Sequence, residues 1–436
     1  MRIFLDSIGC RLNQSEIEGF ANLFRALGHE VVPDPAKADV AIVNTCAVTV
    51  KAAADSRKQL RRASREGAQI VIATGCWATL EPEAALQLEG VQRVFVNGKK
   101  GTLVADLLDI SDEQLSTVKV VREPLPGDRG RTRAFIKVQE GCDNRCTYCL
   151  TRLARGPSRS RNLKDINKDI QAAIDGGAKE MVLSGVQLGA WGRDLDQPQA
   201  LQDLLVKILT HQDIQRLRLS SIEPWEFDLE MLSLWQDQRL CRQLHIPLQS
   251  GSDRILKKMG RPISVSAYQA LIGEIKQRIP GIAITTDVIT GFPGETDADF
   301  EATQTLVETV GFAGGHVFTY SPRPMTPAFK MEAQVPTRVA KARNAALRKV
   351  FERTSENFRE QFINRVMQVL WEISDPTPGG SYALSGLTDN YIRVYSAADC
   401  DLWNMITPVL LSGHHHEWPA LVGNIERIDR MKVGEF

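Results

Sequence analysis

Cys142, Cys146 and Cys149 stand at C-x3-C-x2-C spacing within Gly141-Cys142-Asp143-Asn144-Arg145-Cys146-Thr147-Tyr148-Cys149, directly after the apolar run Ala134-Phe135-Ile136-Lys137-Val138. A short loop with this spacing curls three thiolates toward one centre. Three thiolates suit a 4Fe–4S cluster with one iron left free of protein. A free iron is what a small chelating cofactor needs. A zinc site is one alternative, although zinc prefers four ligands and no fourth Cys or His lies nearby. Disulfides are another, but nothing in the chain suggests secretion.

Three more cysteines share one context. Cys10 follows the strand-like Ile3-Phe4-Leu5, Cys46 follows Val40-Ala41-Ile42-Val43, and Cys76 follows Ile70-Val71-Ile72-Ala73. Helix-like segments, Ser15 to Leu27 and Ala52 to Arg65, lie between, with Gly28 as a helix stop, and Val94-Phe95-Val96 is a fourth strand. This alternation argues for an open parallel α/β sheet. In such a sheet ligands gather outside the carboxyl ends of the strands. Three neighbouring strand ends bring these cysteines together despite separations of 36 and 30 residues. A lone cysteine at a strand end is usually a small buried hydrophobe. Three in equivalent positions point to a second metal centre, again with one iron open, here for sulfur chemistry.

The elements that must position the first loop come after it. Met181-Val182-Leu183, Leu217-Arg218-Leu219, Leu244-His245-Ile246, Ile282-Ala283-Ile284-Thr285 and His316-Val317-Phe318-Thr319 read as strands. With the strand before Cys142 they make six, and helical stretches such as Val265 to Arg278 and Asp299 to Val310 fit the crossovers. Six parallel strands suit a partial (β/α)6 barrel, with function collected at strand C-termini. Those ends carry Ser184-Gly185-Val186, Ser220-Ser221-Ile222-Glu223-Pro224, Ile246-Pro247-Leu248-Gln249-Ser250-Gly251-Ser252-Asp253, Asp287 with Gly291-Phe292-Pro293-Gly294-Glu295-Thr296, and Tyr320-Ser321-Pro322. The competing reading of each is a glycine turn plus a helix N-cap. For Glu223 it is a salt bridge to an arginine.

The domains follow: an α/β domain over 1–110, a linker over 111–131 around Pro124-Leu125-Pro126-Gly127-Asp128 with no clear period, a central barrel over 132–336, a helical connector over 337–364, and a small all-β barrel over 365–436.

The loop around Cys142, with Tyr148 just before its last cysteine, resembles the signature of radical S-adenosylmethionine (radical SAM) enzymes. Gly9-Cys10-Arg11-Leu12-Asn13-Gln14-Ser15-Glu16, Asn44-Thr45-Cys46-Ala47-Val48-Thr49 and Thr74-Gly75-Cys76 resemble the methylthiotransferase family within them, most closely its MtaB-type branch. The resemblance implies two 4Fe–4S clusters and S-adenosylmethionine. Cys142, Cys146 and Cys149 would hold the radical-generating cluster, whose open iron takes the amino and carboxylate groups of the cofactor. Cys10, Cys46 and Cys76 would hold the auxiliary cluster that carries the inserted sulfur. Cofactor contacts are expected from Tyr148, Ser184, Gly185, Ser221, Glu223, Gln249, Ser250 and Asp287, with Gln249, Ser250 and Ser221 facing the nucleoside and methionine parts. The reaction implied puts a methylthio group on carbon 2 of N6-threonylcarbamoyladenosine, position 37 of tRNA. Gly386-Leu387-Thr388-Asp389-Asn390-Tyr391 makes the last domain resemble a TRAM domain. Two positions depart from the family: Met325 where Gly is frequent, and Leu150-Thr151-Arg152-Leu153 where Pro is frequent. Both bear on the shape of the substrate cleft.

Formal charge is zero, so overall charge names no partner. From Arg131 to Asp165, nine Lys/Arg oppose three Asp/Glu, and Arg152, Arg155, Arg159, Arg161 and Lys164 follow the loop. This suits a polyanion such as RNA, or else is a solvated basic face. The connector, with Lys341, Arg343, Arg348, Lys349 and Arg353, either faces RNA or is a solvated spacer. From Arg365 to Phe436 the balance is five Lys/Arg against nine Asp/Glu, an odd charge for an RNA clamp, so RNA contact would fall to Tyr391, Arg393 and Tyr395. His414-His415-His416 reads as a surface loop, and Cys241 and Cys400 as structural. The absence of a signal peptide and of any run of about 18 apolar residues gives a cytoplasmic, non-membrane expectation. An electron donor and a sulfur source are further expected partners. The rivals are a RimO-type enzyme acting on an aspartate of a ribosomal protein, a MiaB-type enzyme acting on isopentenyladenosine in tRNA, and a zinc-containing RNA-binding protein.

Overall fold

The computed structural model describes residues 1–123 and 132–425; the centre of the expected linker, Pro124 to Asp128, lies outside the described residues. The first domain is a parallel sheet of five strands, β1 (Arg2–Ser7), β2 (Glu30–Val32), β3 (Val40–Thr45), β4 (Ile70–Gly75) and β5 (Val91–Phe95), in the order β2-β1-β3-β4-β5. The strand β2 adds to the sequence reading: three residues are too few to show a period. β3 is buried along its whole length, as a central strand covered on both faces must be. On one face Ile3, Leu5, Ile42 and Ile72 pack against Ile17, Phe20 and Phe24 of α1 (Arg11–Ala26). On the other, Ala41, Val43 and Ala73 pack against Ala53 and Leu60 of α2 (Val50–Arg65). The chain order reverses between β1 and β3, which opens a crevice at their carboxyl ends.

The linker is not wholly irregular. Asp112–Thr117 forms a short helix, started by reciprocal hydrogen bonds between Ser111 and Gln114. A single capped turn and a half is too short to leave a hydrophobic period.

The central domain runs six parallel strands: β6 (Arg133–Lys137), β9 (Glu180–Ser184), β10 (Arg216–Leu219), β11 (Gln243–His245), β12 (Ala283–Thr290) and β13 (Gly314–Thr319). Two further two-residue strands, β7 (Gln139–Glu140) and β8 (Arg159–Ser160), pair with each other. Sheets β10-β9-β6 and β11-β12-β13 are joined by a parallel bridge between Ser221 and His245, giving the open barrel that the pattern predicts. The first domain covers one edge, where Ser15 of α1 donates to the carbonyl of Phe135 in β6 at 2.7 Å.

The helix Thr337–Glu360 lies along β13 through Leu347, Val350 and Phe351. Its Arg343 is buried against Glu295 at 2.6 Å, so that member of the connector's basic set is spent inside the protein.

The last domain is a closed barrel of β14 (Val366–Pro376), β15 (Tyr382–Thr388), β16 (Arg393–Ala398), β17 (Ile406–His414) and β18 (Leu421–Ile425), in the order β14-β15-β16-β18-β17. β15 forms although Ser385 and Gly386 are poor strand formers. Gly386 is required there: a Cβ would stand 2.4 Å from the carbonyl oxygen of Leu370. β16 starts at Arg393, just after Tyr391 turns through φ +67°.

This barrel docks on the N-terminal ends of the central strands. Arg216 donates to the carbonyls of Leu387 and Gln368 at 3.0 and 2.6 Å, Arg242 pairs with Asp389 at 2.6 Å, and Arg133 pairs with Glu372 at 2.7 Å. The ring of Tyr391 sits beneath the guanidinium groups of Arg11, Arg133 and Arg218, at 5.9, 5.9 and 5.0 Å. Tyr391 therefore joins three domains, and its ring faces are not free to stack on bases. Cys241 is buried beneath this junction, whereas Cys400 is exposed and has no core role.

Candidate active site

The loop of Cys142, Cys146 and Cys149 is closed at its base by the β7–β8 pair. The buried Gln139 amide donates to the carbonyls of Glu140 and Gly141 at 2.8 and 2.9 Å and to Ser158 Oγ at 2.9 Å. Its oxygen accepts from the backbone N–H of Gln187 at 2.8 Å. Gln187 in turn accepts from the backbone N–H of Asp143 at 2.7 Å. Gly141 turns at φ +73°, where a Cβ would fall 1.8 Å from the carbonyl oxygen of Pro157. Only glycine fits that turn.

The three thiols lie in one another's field. Burial pushes Cys142 up to about 12 and Cys146 up to about 11, and the neighbouring sulfurs add to both. Bare, these two are thiols at neutral pH, so coordination must release protons. Cys149 Sγ accepts from the backbone N–H of Thr151 at 3.4 Å. Tyr148 wedges edge-on against Phe292 with ring centroids 6.4 Å apart, inside a small cluster with Ile255, Met259 and Ala328. That packing fixes its ring within the loop, and its hydroxyl hydrogen-bonds the Cys146 thiol.

The other strand-end residues arrange around this loop. Ser184 ends β9 with its hydroxyl turned to the carbonyl of Val182 at 3.3 Å, and Gly185 N–H meets Ser220 Oγ at 3.4 Å. Ser221 bridges to His245. Glu223 is given to Arg261 at 2.7 Å, the salt bridge that stands as its competing reading. Ser250 Oγ accepts from the N–H of Ser252 at 3.2 Å. Asp287 lies inside β12, which runs on to Thr290, and Gly294-Glu295-Thr296 starts the helix Asp297–Val310 through a Thr296–Asp299 capping box.

Several buried polar atoms here have no protein partner: Asn144 Nδ2, Glu226 Oε2, Gln249 Oε1, Asp287 Oδ1, and Nε and Nη1 of Arg261. Such atoms are costly unless something meets them. A polar cofactor with amine, carboxylate and hydroxyl groups fits this lining. Arg261 was not legible as a site residue. Its side chain is fully buried, stacks over Trp225 at 4.7 Å and lowers the pKa of Cys146, against the larger effect of burial. The signal available was Gly260-Arg261-Pro262 directly after a helix.

The second triad sits where the sheet order reverses. Cys10 caps the N-terminus of α1, Cys46 follows β3, and Cys76 opens the short helix α3 (Cys76–Leu80) after β4. Gly9, at φ +109°, passes so close to Cys46 that a Cβ there would lie 2.7 Å from Sγ. Burial raises Cys46 to about 11, and both Cys76 and Cys10 add to it. Asn13 ties the set: its amide donates to the carbonyls of Ile8 and Thr45 at 2.8 and 3.1 Å, and its oxygen faces the Cys10 thiol at 3.8 Å. Asn97 Nδ2 faces Cys76 Sγ at 3.8 Å.

Among the described residues, no three His, Cys, Asp or Glu side chains are gathered as for a single metal ion. Three thiols are the donor chemistry that a 4Fe–4S group takes when one iron is left for another ligand. The basic run after the first loop divides. Arg155 is buried, Arg161 pairs with Asp169 at 2.6 Å, and Arg152, Arg159 and Lys164 remain exposed. No helix among the described residues is long and apolar enough to cross a membrane.

Residues 136–307 match the radical SAM superfamily and residues 2–97 match the uncharacterized protein family UPF0004. The radical SAM match brings a 4Fe–4S cluster and S-adenosylmethionine with it. Among solved structures, the radical S-adenosylmethionine methyltransferase TsrM from Kitasatospora setae is similar in fold, with a TM-score of 0.55 at 15% identity over 75% of each chain. A tRNA-2-methylthio-N(6)-dimethylallyladenosine synthase of Clostridium tetani is 32% identical over 88% of both chains. Threonylcarbamoyladenosine tRNA methylthiotransferase MtaB of Bacillus subtilis is 32% identical over 92% of both, and that of Thermotoga maritima is 37% identical over 90% of this chain and 89% of its own. Likeness of this extent to methylthiotransferases, spanning all three domains, has one meaning: the chain belongs to the radical SAM methylthiotransferase family.

Proposed function

We propose that this chain is a tRNA methylthiotransferase that places a methylthio group on carbon 2 of N6-threonylcarbamoyladenosine, the adenosine just 3′ of the anticodon. The observation that carries the reading is the pair of three-cysteine sites, one at the carboxyl ends of each parallel sheet, with the helix Thr151–Arg155 between them. The choice of nucleoside rests on the 37% identity to the Thermotoga maritima relative, against 32% for the Clostridium tetani one.

In this reading Cys142, Cys146 and Cys149 hold one 4Fe–4S cluster and leave an iron for S-adenosylmethionine. Cys10, Cys46 and Cys76 hold a second, with an iron left for sulfur. Bound, these groups supply one-electron chemistry able to activate an unreactive C–H bond, and the sulfur to be inserted. The chain's own part is positional. Gln139 and Gln187 hold the loop in shape. Gln249 Oε1 and Asp287 Oδ1 would accept from the cofactor's hydroxyl or amine groups, and the unpartnered N–H groups of Arg261 would suit a carboxylate. Asp287 is oriented by His245, whose Nε2 lies 3.3 Å from Oδ2 and whose Nδ1 meets Thr285 Oγ1 at 3.0 Å. An electron donor and a sulfur source complete the partners, because each turnover consumes both.

The test is mass spectrometry of tRNA nucleosides from cells lacking the gene, with and without it restored. The 2-methylthio derivative of threonylcarbamoyladenosine disappears and returns. Its persistence, with loss of the isopentenyladenosine derivative or of a ribosomal-protein modification, would move the substrate to one of those branches.

A further inference from the structure

The short helix Thr151–Arg155 leaves the first cysteine loop and is fastened to the second triad at two points. The carbonyl of Ala154 accepts from Asn97 Nδ2 at 2.8 Å, and that same nitrogen faces Cys76 Sγ. The Arg155 guanidinium donates to Asn13 Oδ1 at 2.5 Å, the oxygen that faces the Cys10 thiol. Arg155 thus comes from the central domain but serves the first one. Its side chain is 1% exposed.

The charges around Arg155 do not cancel. Glu16 is shared by Arg155 at 2.9 Å, Lys100 at 2.7 Å and Lys137 at 3.1 Å, and Glu140 by Arg155 at 2.9 Å and Lys137 at 2.5 Å. Three cations against two carboxylates leave one positive charge in a buried place. This group borders the second triad, where Asn13 Oδ1 joins the Arg155 guanidinium to the Cys10 thiol.

We propose that Arg155 is a positioning residue that sets the reduction potential of the auxiliary cluster: it orders Asn13 against Cys10 and holds net positive charge beside the triad. This rests on the reading that Cys10, Cys46 and Cys76 carry a 4Fe–4S cluster. The potential of such a cluster follows its net charge, burial and the groups facing its sulfurs. A fixed cation favours the reduced, more negative state and so raises the potential. Removing it lowers the potential, and removing Glu16 raises it.

The experiment uses the full-length chain carrying Cys142→Ala, Cys146→Ala and Cys149→Ala, so that only the auxiliary cluster is loaded. About four irons per chain in this parent tests the underlying reading by itself. Arg155→Met, Arg155→Lys and Glu16→Gln are then compared by anaerobic redox titration followed by electron paramagnetic resonance. The midpoint moves to lower potential in Arg155→Met, stays near the parent in Arg155→Lys, and moves to higher potential in Glu16→Gln. A merely structural rivet would shift Arg155→Met and Glu16→Gln the same way or not at all, and either result at full iron content overturns the proposal. If Arg155→Met does not load, Glu16→Gln with Arg155→Lys decides: no upward shift in Glu16→Gln overturns it.

Discussion

Gln249 and Asp287 hold each other by backbone, and each keeps one side-chain oxygen without a protein partner. The N–H of Gln249 donates to the carbonyl of Asp287 at 2.8 Å, while Gln249 Oε1 and Asp287 Oδ1 are buried without protein partners. Gln249 does this at φ +73°, a left-handed conformation that costs a residue with a Cβ about 1–2 kcal/mol. Strain of this kind is kept where surrounding structure imposes it, often at a ligand site.

Gln249→Gly removes the strain and the side-chain acceptor together. Glycine's extra freedom in the unfolded chain offsets part of the relief, by about 0.5–1 kcal/mol. Stability therefore stays within about 1 kcal/mol of the parent, while affinity for S-adenosylmethionine falls about tenfold, the loss of one hydrogen bond worth about 1.4 kcal/mol. Calorimetric titration of the iron-loaded protein, beside thermal unfolding, reads both. Unchanged affinity removes Gln249 from the cofactor site.

The two triads divide the labour in the proposed reaction, so single cysteine variants separate the half-reactions. Cys46→Ala takes iron from about eight to about four per chain. It leaves reductive cleavage of S-adenosylmethionine largely intact and abolishes the methylthio product. Cys146→Ala loses the same amount of iron but stops cleavage as well. Loss of both activities in a folded Cys46→Ala protein that retains four irons contradicts the division.

How much of this was legible in the sequence follows from range. The two triads, the sheet classes and the domain order rest on short words and local periods, and those survive folding unchanged. Glu223 and Arg155 show the limit. Glu223 reads as a cofactor contact or as half of a salt bridge to an arginine, and the chain pattern does not name that arginine, Arg261; Arg155 reads as part of a basic face toward RNA and is committed to Glu16 and Asn13. Tyr391 is the same case, an aromatic in a family-like word whose ring is claimed by three arginines from two other domains. Nothing local marks which charge or ring the tertiary structure will use for itself. Arg261 was missed for the converse reason, since its site role comes from burial beside Cys146.

Beneath the docked barrel Glu180 and Arg218 are fully buried and paired at 2.6 Å, and Arg218 also donates to the Asp389 carbonyl of the barrel at 2.9 Å. Burial alone would raise Glu180, but Arg218, with Arg133 and Arg216, brings it from 4.5 down to about 2. A carboxylate with a depressed pKa in the fold contributes stability above its unfolded value and loses it as pH falls toward the folded one. About 3 kcal/mol is present at neutral pH and disappears between about pH 4.5 and pH 2. Glu180→Gln strands Arg218 and costs about 3–5 kcal/mol at neutral pH. It also flattens the acid limb of the stability curve. Denaturant unfolding from pH 7 down to pH 3 measures this, and a Glu180→Gln protein with the parent's acid slope rules the pair out as its cause.

Arg159 and Lys164 stay exposed beside the first loop after Arg155 and Arg161 are drawn inward. If the outward half of the basic run meets tRNA backbone, its contacts release counterions, and each removes a definite amount of salt dependence. Replacing both by alanine weakens tRNA binding about equally across tRNA species. It also lowers the slope of log K against log salt by about 1.5, at roughly 0.7–0.9 per phosphate contact. Cluster content and cofactor cleavage without tRNA stay at parental values, because neither side chain reaches the thiols. Filter binding at several salt concentrations gives the slope directly. An unchanged slope makes these residues a solvated face and sends the search for the RNA surface to Arg348 and Lys349, which stay exposed on the helix along β13.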